Sequence, residues 1–128
     1  MRKALGFAGL VATILLSGAA ALAGPWEDGM VAYNRGDYLP AVKLFRPLAQ
    51  SGNAKAQNVM GVMYRKGEGV ARSSARAFMW FSLAARKGDT QAKANLQEMS
   101  KEISPAEMTH ANEMMTACEA SDYRNCEY

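Results

Sequence analysis

Three observations predict an all-α fold: a short α-solenoid of antiparallel helix pairs closed by a C-terminal capping helix. First, residues 41–60 align with residues 77–96 at an offset of 36. Ala41 matches Ala77, Phe45 matches Phe81, Ala49 matches Ala85, Gly52 matches Gly88 and Ala56 matches Ala92, while Leu44 and Met60 face Trp80 and Leu96. A period of about 20–50 residues marks stacked units that each bury an apolar face against the next. Second, glycines punctuate segments of helical length, and strand alternation is absent. Third, apolar residues within those segments recur at helical spacing, as in Ala41, Leu44, Phe45 and Leu48.

Residues 1–23 stand apart from that pattern. Met1-Arg2-Lys3 is basic, and an uncharged run rich in Leu, Ala, Val, Ile and Gly follows to Ala21-Leu22-Ala23, ahead of Gly24-Pro25. A basic start, an apolar stretch and a small-x-small ending predict a secretory signal peptide of bacterial type, cleaved after Ala23. The rest of the chain is long enough for one small domain with a modest core.

The first helix is expected after Pro25, ending near Gly36. The second runs from about Tyr38 to Gln50, with Pro47 a candidate kink in its last turns because proline removes an amide donor. The third spans about Ala54 to Lys66 and buries Ala56, Met60, Met63 and Tyr64. The fourth begins at Ser73 or Ser74 and ends at Lys87, with Ala77, Trp80, Phe81, Ala84 and Ala85 inward and Gly88 as a left-handed stop. The fifth is capped by Asp89 and runs from about Thr90 to Ile103. Ser104-Pro105-Ala106-Glu107 then forms a capping box with proline at the first helical position. It opens a sixth helix whose Met108, Ala111, Met115 and Cys118 share one face.

Charge is distributed unevenly. Arg2 and Lys3 lie in the leader, so the remainder carries 13 basic and 12 acidic residues, and nothing in that balance argues for nucleic acid. Basic residues gather in residues 54–93 and acidic ones in residues 94–128, which reads as solvated helix faces, a charged groove or a head-to-tail contact in self-association. Cys118 and Cys126 are the only cysteines. In an exported chain such an even pair predicts one disulfide pinning the C-terminal tail.

Residues 56–88 hold a more specific pattern: Met60-Gly61, Tyr64, Gly67-x-Gly69-Val70, Ala77, Trp80-Phe81, Ala84-Ala85 and Gly88. This resembles the Sel1-like repeat, a relative of the tetratricopeptide repeat. The resemblance divides the chain into the leader (1–23), a degenerate unit lacking the G-x-G-V loop (24–53), a full repeat (54–88), and a half repeat with capping helix and disulfide-pinned tail (89–128). Physically, the small residues allow close helix approach, the aromatics fill the space between helices, and Gly67 and Gly69 permit positive φ in the turn.

The resemblance implies that first helices line a concave groove. Helical spacing then turns Lys55, Asn58, Val62 and Arg65 into it, joined by Glu27, Val31 and Asn34 from the earlier unit and Gln91, Glu98 and Lys101 from the later one. Lysine, asparagine and arginine on one face suit a peptide backbone or carboxylate. The expected function is an exported protein–protein interaction module with an envelope or secreted partner, with no cofactor and no catalytic set. Two alternatives stand beside it. Met108, His110, Met114 and Met115 offer ligand types that suit copper(I). A cell-wall hydrolase is the other, although one histidine and no recognisable Ser/His/Asp or Cys/His set leave it without a mechanism.

Overall fold

The structure, a computed structural model, describes residues 23–126; the expected leader, apart from Ala23, and the last two residues lie outside the described residues. Six helices follow one another: α1 (Pro25–Asn34), α2 (Tyr38–Gln50), α3 (Ala54–Lys66), α4 (Ser74–Arg86), α5 (Thr90–Glu102) and α6 (Pro105–Ala120). No strand occurs among the described residues. Successive pairs α1–α2, α2–α3, α3–α4 and α4–α5 pack against each other through short turns, and α6 folds back onto α4. Helices in contact and joined by short turns run antiparallel, so the architecture is a helical solenoid with a capping helix.

Local chemistry sets most of the boundaries. The side chains of Asn53, Ser73, Asp89 and Ser104 each accept a backbone N–H at the start of α3, α4, α5 and α6. At α6 the capping box is complete, because Glu107 accepts the Ser104 N–H at 3.0 Å in return. Proline opens both α1 and α6, where no amide donor is needed. Helix α2 continues through Pro47. Both Pro47 and Lys43, whose carbonyl loses its partner there, are exposed, so the break in the ladder falls on the solvent side of the helix.

The two helical pairs share one packing device. A Cβ on Gly29 of α1 would lie 2.6 Å from the Phe45 ring of α2, and one on Gly61 of α3 would lie 2.5 Å from the Phe81 ring of α4. In each unit a glycine on the first helix admits a phenylalanine from the second. The seven-residue α3–α4 loop is the part the first unit lacks. Within it Gly69, at φ +70°, lies so near the Tyr38 carbonyl that a Cβ would come within 2.7 Å of that oxygen. The loop is therefore moulded onto the first unit, and only glycine suits that approach.

Helix α4 is buried on far more than the single face expected of it. Ala75, Ala77, Met79, Trp80, Phe81, Ser82, Leu83 and Ala84 are all buried, whereas Ala85 is only half-buried. The reason is topological: α3, α5 and α6 all pack on α4. In α2 the buried set is Ala41, Val42, Phe45 and Ala49, with Leu44 and Leu48 half-buried. In α6, Met114 joins Ala111, Met115 and Cys118 in the core, and Met108 is half-buried. Cys118 and Cys126 are disulfide-bonded and fully buried. Among the described residues no helix is long and apolar enough to cross a membrane.

Candidate partner-binding groove

The first helices of successive units, α1, α3 and α5, present their N-terminal turns around a cavity of about 340 Å³. Its apolar lining comes from Trp26 and Met30 of α1 and Val59 of α3. Its polar lining comes from Lys55 and Asn58 of α3 and from Asp89, Thr90 and Gln91 at the start of α5. Trp26 is held there by Phe45, with ring centroids 5.3 Å apart. Helical periodicity places Lys55, Asn58 and Val59 on one side of α3, while Ala56, Gln57 and Met60 turn into the core.

Three of the residues expected at a groove, Lys55, Asn58 and Gln91, therefore meet in one cavity. The others are placed differently. Val62 is half-buried and packs against the core, outside the cavity lining. Arg65 forms an ion pair with Glu102 across to α5. Lys101 is paired with Glu98 at 3.1 Å on their own helix. Glu27, Val31 and Asn34 are exposed on α1, outside the cavity lining. Trp26, Met30, Val59 and Thr90 were not anticipated; the i+3/i+4 steps from Trp26 to Met30 and from Lys55 to Val59 were the available signal.

Two side-chain ties span α3 and α5 along this face. Asn95 Nδ2 donates to Asn58 Oδ1 at 2.9 Å beside the cavity, and the Arg65–Glu102 pair closes the far end. On α4 and α6, Arg86 pairs with Glu119. The segregated charges thus meet within the chain at two points, Arg65 of α3 with Glu102 of α5 and Arg86 of α4 with Glu119 of α6. These exposed pairs contribute modestly, about 0–1 kcal/mol each. Lys55 is exposed and makes no ion pair among the described residues.

The methionine–histidine group does not converge. Met114 and Met115 are buried in the core, and His110 is exposed beside Glu113 at 3.9 Å. No cluster of three or more His, Cys, Asp or Glu side chains able to hold a metal occurs among the described residues.

The α3–α4 loop contributes a further polar link that the sequence pattern did not disclose. The Tyr33 hydroxyl of α1 donates to Glu68 at 2.9 Å. Burial, then the Glu68 carboxylate, push the Tyr33 hydroxyl up to about 12. The same carboxylate is the main cause of an upward shift at Tyr38. The neutral phenol is thus favoured in the folded state. Its contribution to stability is complete below the unfolded value of about 10 and is lost as pH rises through about 12. In a tyrosinate absorbance titration of the folded protein, Tyr33 should ionise near pH 12. Glu68→Gln should move it back part of the way, since burial remains. Ionisation of every tyrosine near pH 10 in the folded protein would show that the link does not form.

Residues 54–89 match the family model of the Sel1 repeat. That span takes in α3, the Gly67-x-Gly69 loop and α4, and it ends at the Asp89 cap of α5. The chain is also 29% identical over 83 residues to the alginate biosynthesis protein AlgK of Azotobacter vinelandii. The aligned segment is 65% of this chain and 18% of that protein, so the chain spans less than a fifth of its relative's length.

Proposed function

We propose that this Sel1-repeat protein is a non-catalytic interaction module. It engages a protein partner in the cell envelope or outside the cell through the concave face formed by α1, α3 and α5. The observation that carries the reading is the cavity between those helices, lined by the apolar Trp26, Met30 and Val59 and by polar groups that include Lys55, which makes no ion pair among the described residues. Concave, mostly apolar sites with a few placed polar groups are where proteins take ligands and anchor side chains. A solenoid also orders its surface before binding, so little conformational entropy is lost there on association. The buried Cys118–Cys126 disulfide and the expected leader support an oxidising compartment.

The test is site-specific photo-cross-linking in cells. A photoreactive residue replacing Gln91, exposed at the cavity, should capture a defined protein. The same residue replacing Glu113, exposed on α6, should not. Equal capture at both positions, or none at Gln91, would remove the concave face from the account.

A further inference from the structure

We infer that the exposed side of α1 is a self-association surface, on which two copies of this chain pair antiparallel about a two-fold axis at Val31. This goes beyond the groove reading and does not depend on it.

Helix α1 is the open end of the solenoid. The other end is closed, because α6 folds onto α4 and buries Met114, Met115 and Cys118. No helix covers α1 in that way; among the described residues it packs chiefly on α2. Gly29 is buried against the Phe45 ring, while Glu27, Asp28, Val31, Asn34 and Arg35 are exposed. A terminal unit of a solenoid leaves one face without a neighbour.

The spacing on that face is that of a helix-pairing seam. Glu27, Val31 and Asn34 fall at i, i+4 and i+7, and Asp28 and Arg35 recur seven residues apart along one edge of that stripe. Val31, 48% exposed, sits midway between the two ends. Charge then chooses the orientation. In an antiparallel pair centred on Val31, each edge lies beside the same edge of the second copy. Asp28 of one copy therefore stands by Arg35 of the other, and Arg35 by Asp28. Glu27 meets Asn34 on the seam, where the amide N–H groups suit a carboxylate. Every contact occurs twice, as an isologous interface requires. A parallel pair would instead gather the Glu27 and Asp28 carboxylates of both copies at one end.

These charges are not used inside the chain. Arg65 and Arg86 are committed to Glu102 and Glu119, whereas Glu27, Asp28 and Arg35 make no ion pair among the described residues. The pairing also leaves the groove open. Met30 and Trp26 line the cavity, and helical geometry turns them about 100° and about 140° away from Val31. Met30 of both copies falls on the flank opposite to the Asp28–Arg35 contacts, so the two cavities open side by side. One short helix pair is a small interface and its ion pairs are exposed, so the association is weak, reversible and weakened by salt.

The experiment uses the full chain, expressed with residues 1–23 in place, purified and followed by sedimentation velocity over a concentration series in low and high salt. A monomer–dimer equilibrium without larger species is expected, shifted to monomer by salt. Arg35→Glu alone and Asp28→Arg alone should each weaken pairing about tenfold, because each change sets like charges together at two contacts. Mixing the two variants should restore pairing, since the mixed pair regains opposite charges at both contacts. Val31→Cys supplies a readout independent of charge. A residue on the axis meets its own copy, so mild oxidation should link two chains through it, and Glu113→Cys on α6 should link none. Thermal unfolding of each variant confirms that it folds.

Four results overturn the inference: a monomer at every concentration, a dimer that Arg35→Glu leaves unchanged, a mixture that pairs no better than its components, or a Val31→Cys chain that does not link. None of them bears on the groove, which the cross-link at Gln91 tests separately.

Discussion

Trp80→Ala should be the most damaging single truncation in this protein, lowering stability by about 3–5 kcal/mol. Trp80 is fully buried in α4, the helix against which α3, α5 and α6 all pack. Removing the indole opens a void that three helices would have to collapse together to fill, and close-packed helices relax only partly. For a domain near 100 residues the expected fall in Tm is more than about 10 °C. Total stabilities are only about 5–15 kcal/mol, so the variant should be poorly folded at growth temperature. Trp80→Phe provides the control. It keeps an aromatic ring and removes a buried indole N–H that has no hydrogen-bond partner among the described residues. Its loss should therefore be clearly smaller than that of alanine. Urea unfolding followed by far-ultraviolet circular dichroism measures both. An unchanged midpoint for Trp80→Ala would mean that α4 is not the central helix.

Removing the disulfide should have the next largest effect. The double variant Cys118→Ala/Cys126→Ala releases a constraint between residues eight apart, worth about 2–3 kcal/mol by the loop-closure relation. The structure also says where the effect appears. The bridged turn holds Asp122 and Tyr123 at φ 56° and 63°, a region that costs non-glycine residues about 1–2 kcal/mol each. It sets the Tyr123 ring 4.5 Å from Lys87 Nζ, and that same ammonium donates to the Gly52 carbonyl at 2.6 Å. The tail therefore ties the end of α6 to the end of α4 and to the α2–α3 turn. Hydrogen exchange should accelerate in the last turn of α6 and around Lys87, while α1 and the first turns of α3 keep their protection. Unchanged stability and exchange would make the bridge incidental to the fold.

Much of the helical framework was legible because its causes are local. The ends of α2 and α3 follow from the glycines that punctuate the chain. Asp89 and the Ser104–Glu107 box sit within one turn of the amides they satisfy. Trp80 and Phe81 stood out because the second unit repeats the apolar spacing of the first, and Gly61 stood out through the resemblance to the Sel1-like pattern. Helical periodicity also put Lys55 and Asn58 on the groove side of α3. It did not disclose that Glu102 stands opposite Arg65 or that Val62 packs against the core, since a face of one helix does not show what it will meet.

The order of helices, their caps and their close-approach glycines were thus determined by the amino-acid sequence, through interactions that span a turn or recur at one period. Only the tertiary structure decided that α4 is enclosed by three helices and that Glu68 binds Tyr33 of the preceding unit. It alone joined Asn58 to Asn95, turned the segregated charges inward on one another, and drew Trp26 and Met30 to the same cavity as Lys55. Each of these couples residues on helices whose adjacency depends on the stacking of whole units. A pattern read along one helix carries the direction of a side chain but not the identity of what it will meet.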